Sequence, residues 1–189
     1  MKKIESILAR LRHWQLFLLL FIPFVVPYFL SPQVGLEQAS DVEAFRSSVT
    51  WMIAMSIPWG VAFYAWIWVL GRVCNASLAP SLRRNGRVFN FAMPFALCYL
   101  PIAMLVFPQM VFAEDGYWLA AIVIPIHIAA VFLLFYAVIF SARSVASLGS
   151  DRLAGSGRSF LFLLGIMYFP IGIWFIQPRL NAAYEESQP

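Results

Sequence analysis

Few residues in this chain have the chemistry to act, and their spacing narrows what that chemistry is. His127 lies inside the apolar run PIHIAAVFLLFYAVIF (125–140). A titratable ring at that depth either lines a path for ions or protons, or sits neutral and hydrogen-bonded to a neighbouring helix. A carbonyl freed by a nearby proline is one candidate partner, and no cysteine or carboxylate stands close enough in sequence to make it a metal ligand. A second group is basic: Arg83, Arg84 and Arg87 in PSLRRNGR (80–87), and Arg143 further on. Guanidinium groups suit phosphate through paired N–H donors. Asn85-Gly86 tolerates positive φ, so a tight turn that gathers the three arginines is expected. Their partners are expected to be lipid headgroups, a cytosolic nucleotide or nucleic acid, or a regulatory protein. Glu114 and Asp115 are adjacent carboxylates on a turn and point apart. They read as an outer mouth that concentrates cations, or as an exposed cap, rather than as an acid–base pair.

No nucleophile elbow, His-Glu-x-x-His helix or phosphate-binding glycine loop occurs in the sequence. The expectation is a non-catalytic protein with no cofactor and no metal.

The elements that must hold these residues are apolar. The chain is 62% hydrophobic and 12% charged, against roughly 45–50% and 25% in soluble domains. So much apolar surface has no place to hide in a soluble fold of this size, which points to an all-α, polytopic transmembrane bundle with proline-kinked helices. The spacing predicts a basic amphipathic lead over 1–13, spans at about 14–30, 49–70, 88–112, 117–141 and 159–176, and a polar, mobile tail over 177–189. The fourth helix is expected to project past its span and stop at Gly149.

The third span carries Pro94, Pro101 and Pro108 at seven-residue intervals. That interval keeps them on one helical face. Each removes the usual donor for a carbonyl four residues earlier, at Asn90, Leu97 and Met104. The face reads as a hinge or pore wall, with Asn90 and His127 as its polar groups.

Three stretches, HWQLFLLLFIPF (13–24), PIHIAAVFLLFYAVIF (125–140) and YFPIGIWFIQPRLN (168–181), resemble a small family of uncharacterised bacterial multi-span membrane proteins. The last stretch is the most specific. The resemblance implies that 159–181 is integral to the fold. It transfers no activity, cofactor or site residue.

Lysine and arginine alternate in abundance between successive loops. Bases concentrate in the lead, in 72–87 and in 142–158, so these are expected to be cytosolic. Five crossings place the tail outside; if 159–176 is re-entrant, there are four and the tail is inside. No span holds Asp, Glu, Lys or Arg, which argues against an ion-coupled transporter. The leading expectation is a homo-oligomeric protein of the bacterial inner membrane. It forms an ion-conducting or membrane-perturbing pore and acts as a toxin-like or antiviral defence effector, gated at its basic face by an anionic ligand. The runner-up is a structural or accessory subunit of a larger membrane complex, and the third is an intramembrane enzyme acting on lipid.

Overall fold

A computed structural model describes residues 2–30, 42–112 and 116–187. Its elements are helical: α1 (Lys2–Arg10), α2 (His13–Leu30), α3 (Val42–Ala76), a 3-10 turn (Pro80–Leu82), α4 (Arg87–Phe112), α5 (Gly116–Ser147), α6 (Ser156–Met167) and α7 (Phe169–Glu186). Three of them, α3, α4 and α5, are long and apolar enough to cross a membrane. The number is up to five if the bent pairs α1–α2 and α6–α7 each count as one span. Helix α5 runs past its apolar stretch to Ser147, and Gly149 takes φ 66°. Glycine reaches that conformation without the Cβ penalty that other residues meet, which is why the helix stops there.

Helices α3, α4 and α5 pack against one another, and the contact depends on small residues. Gly71 of α3 faces the Phe89 ring of α4 and the Ser141 hydroxyl of α5, with no room for a Cβ. Phe89 stacks on Phe140 with centroids 4.5 Å apart. The Ser141 hydroxyl lies 3.1 Å from the Ile67 carbonyl and 3.0 Å from its own helix's Ala137 carbonyl. The other aromatics of the α5 stripe, Phe132, Phe135 and Tyr136, are exposed. The pair Ser56 and Gly60, which reads as a close-approach motif, is less telling: the Ser56 hydroxyl turns back to Met52 of its own helix.

The chain's first and last helices meet at one end of the bundle. Helix α1 turns 105° into α2, and the turn leaves carbonyls of the last α1 residues without helical partners. Helix α7 supplies those partners. Gln177 is fully buried. Its amide nitrogen donates to the Leu8 carbonyl (3.0 Å) and the Leu11 carbonyl (2.9 Å), while its oxygen accepts the Trp66 indole N–H (3.1 Å). Asn181, one turn on, donates to the carbonyls of Ala9 (2.6 Å) and Leu11 (3.1 Å). Glu5 pairs with Arg72 of α3 at 2.7 Å, and Arg10 lies over the Tyr184 ring. The segment 177–186, expected to be a polar mobile tail, is instead ordered helix that ties α1 to α3. Pro178 sits inside that helix rather than ending it.

The last apolar run also differs from a simple span. Helix α6 has 12 residues, about 18 Å at 1.5 Å per residue, too short for a ~30 Å hydrocarbon core. It meets α7 at a bend of 120°. At the bend the backbones of Gly165 and Gly172 touch, and a Cβ on Gly172 would overlap the Gly165 carbonyl. Phe169, just past the bend, packs into Phe24, Trp59 and Phe63 of α2 and α3, with centroids 5.7–6.0 Å away. Both arms open toward the same end of the bundle. The Ala154 N–H donates to Ser147 at the end of α5 (3.0 Å), and the Ala183 carbonyl accepts from Ser77 just past α3 (3.0 Å). Helix α1 is in direct contact with α7, so the two lie at the same end of the bundle, and α6–α7 is a bent pair of helices.

Candidate functional site

The bases gather at the end of the bundle where α1 lies, but without the predicted Asn85-Gly86 turn. Among the described residues only Gly149 has positive φ, so Asn85-Gly86 does not form the expected tight turn. Instead the Asn85 side chain accepts the Arg87 N–H (3.0 Å) and caps the start of α4. Asn75 holds the loop from the other side. Its amide accepts the Arg84 N–H (2.9 Å) and donates to the Arg84 carbonyl (3.1 Å). Arg83 folds back to the Leu78 carbonyl (2.9 Å). Partial burial first, and then the Arg143 charge, hold the Arg84 guanidinium below the usual arginine range, while Tyr136 acts in the opposite sense.

A second site lies in the apolar wall. The Tyr99 hydroxyl of α4 and Nδ1 of His127 on α5 are 3.2 Å apart. His127 therefore does find a partner on the proline helix, a hydroxyl rather than a carbonyl freed by proline. His127 is exposed and Tyr99 half-buried. His127 also lines a cleft of about 270 Å³ with Ile53, Ala103, Met104, Phe107 and Val123. His127 is nine residues beyond Trp118, about 14 Å along the helix and so near the middle of a ~30 Å core. Pro94, Pro101 and Pro108 all lie within the single helix α4. Asn90 is exposed one turn inside Arg87, at the basic end rather than at mid-depth. Glu114 and Asp115 lie outside the described residues, and the described residues hold no group of side chains able to bind a metal.

Sequence reasoning missed Gln177, Trp66, Ser141 and Ser159. For Gln177 and Asn181 a signal existed: two amides four residues apart share a helical face, flanked by apolar residues that favour burial. Trp66 gave none, because an interfacial tryptophan and a buried donor look alike in sequence.

Long apolar helices and small-residue packing are the features of a helical membrane protein. No known family model, curated protein or solved structure matches the chain.

Proposed function

We propose that the chain is a non-catalytic, multi-pass protein of the bacterial inner membrane, crossing four times through α2 to α5, with α6–α7 re-entrant from the cytosolic, basic side. It works as a homo-oligomer that conducts ions or perturbs the membrane, in the manner of a toxin-like defence effector. The basic end responds to a phosphate-bearing ligand, and the prolines let α4 bend in answer.

The observation that carries this reading is the Tyr99–His127 pair, with His127 exposed. A polar pair near mid-depth is unfavourable against lipid, and such groups face a protein neighbour or a water-filled path. Within one copy the buried polar residues among those described are Ser141, Ser144, Ser147, Ser159 and Gln177, and three of these serines already bond within α5. A path would run between copies. Helix α5 is the least covered of the three long helices, with 17% of its most apolar stretch buried against 28% for α3 and 24% for α4. That leaves its surface for a neighbouring copy.

The accessory-subunit reading draws on the cleft beside His127, whose other lining residues are apolar and suit a side chain from a partner's helix. Currents across planar bilayers containing the purified protein distinguish the two. The pore reading expects current steps that His127→Ala changes in size or lifetime by several-fold. An oligomeric, folded protein that passes no current supports the subunit.

A further inference from the structure

We propose that the first turn of α6 and the end of α5 form a binding site for a phosphate-bearing anion. The cleft between them is about 190 Å³ and is lined by Arg143, Ser156, Ser159, Ile139, Ala142 and Leu163. None of these residues is acidic. Three kinds of donor converge there.

The first is the helix start. Ser159 is the first α6 residue whose N–H reaches back, to the Gly155 carbonyl at 3.1 Å. The N–H groups of Ser156, Gly157 and Arg158 precede that bond, and Gly155 brings no capping oxygen. Aligned peptide dipoles make such an end attract anions. The turn is also open, since a Cβ on Gly155 or Gly157 would meet nothing within 4 Å.

The second is the Ser159 hydroxyl. Ser159 is only 7% exposed, and its Oγ has no hydrogen-bond partner. The contrast with α5 is direct: Ser141, Ser144 and Ser147 each donate to the carbonyl four residues earlier, at 2.8–3.0 Å. Ser159 does not, and a buried hydroxyl left this way calls for an acceptor from outside the chain.

The third is Arg143, an exposed guanidinium at the cleft, whose paired N–H donors suit a doubly accepting anion. The apolar floor of Ile139, Ala142 and Leu163 suits the glycerol and upper acyl carbons of a phospholipid, while a free phosphate would use the donors alone.

The site rests on the basic-end part of the proposed function and not on conduction, so binding is measured directly. Full-length protein in detergent is offered phosphatidylglycerol or phosphatidylcholine, and retained lipid is counted by native mass spectrometry, with and without inorganic phosphate. The wild type should retain phosphatidylglycerol in preference. Arg143→Gln should weaken that retention about tenfold and Ser159→Ala about three- to tenfold, as expected for charge-assisted and neutral hydrogen bonds. Ser156→Leu, exposed on the cleft lining and clear of the core, should block the site while the fold persists. Arg152→Gln, a base of the same loop outside the cleft lining, should change nothing. Competition by inorganic phosphate identifies a free-phosphate site; its failure to compete identifies a lipid headgroup site. Equal retention of the two lipids by all variants overturns the proposal, as does a loss in Arg152→Gln matching that in Arg143→Gln. Loss of current with binding intact removes the pore and leaves the site standing.

Discussion

Replacing Gln177 by alanine is expected to destabilise the protein by about 2–5 kcal/mol and to free α1 from the bundle. The substitution removes the donor to the Leu8 and Leu11 carbonyls and the acceptor of the Trp66 N–H. Hydrogen bonds between helices in membranes average only about 0.6 kcal/mol, which sets the lower figure for three of them. The upper figure reflects buried groups left without partners and the cavity left behind. Asn181 still reaches Leu11, so one carbonyl keeps a partner. Gln177→Leu separates the contributions: it restores apolar volume but satisfies nothing, and should recover only part of the loss. Denaturant unfolding in detergent reads the stability. Tryptic cleavage at Arg10 and Arg12 reads the detachment of α1. Wild-type stability in Gln177→Ala would mean that α1 is held by its apolar contacts alone.

Gly172→Ala is expected to cost about 3 kcal/mol or more and to open the α6–α7 hairpin. The new Cβ would overlap the Gly165 carbonyl, and backbone facing backbone has no rotamer through which to yield. The hairpin's second glycine gives a graded comparison. A Cβ on Gly165 would lie 3.2 Å from Ile176 Cδ1, the end of a flexible side chain, so Gly165→Ala should cost about 1 kcal/mol. Gly157→Ala meets open space and should be neutral or slightly stabilising, since alanine favours helix. Equal effects at 165 and 172 would show that the arms do not touch as described.

The sequence carried the helical class, the existence of the long helices and the stop of α5 at Gly149, because apolar length and glycine chemistry are local signals. The hairpin was legible only as the re-entrant alternative to a fifth crossing. The run 159–176 has the length of a span, and the bend falls at Tyr168, which is neither glycine nor proline. What folds the arms back is tertiary: two glycines meeting across the bend, and Phe169 seated among aromatics of α2 and α3. Gln177-Pro178 read as a stop for a similar reason. A proline forfeits one helical bond, but the amides at 177 and 181 supply four bonds to α1 and the turn after it that only the folded chain reveals. The expected Asn85-Gly86 turn did not form because Asn85 spends its side chain on the start of α4. His127 was legible as polar and deep; that its partner would be Tyr99, on the outside of one copy, was not.

The four-crossing arrangement depends on α7 returning to the face where α1 lies. Reporter fusions after Pro189 in living bacteria test that return most directly. The account predicts that a reporter fluorescent only in the cytosol lights up there, while one active only outside the membrane stays silent. An active external reporter after Pro189, with the cytosolic one dark, would make α6–α7 a fifth crossing and contradict the account.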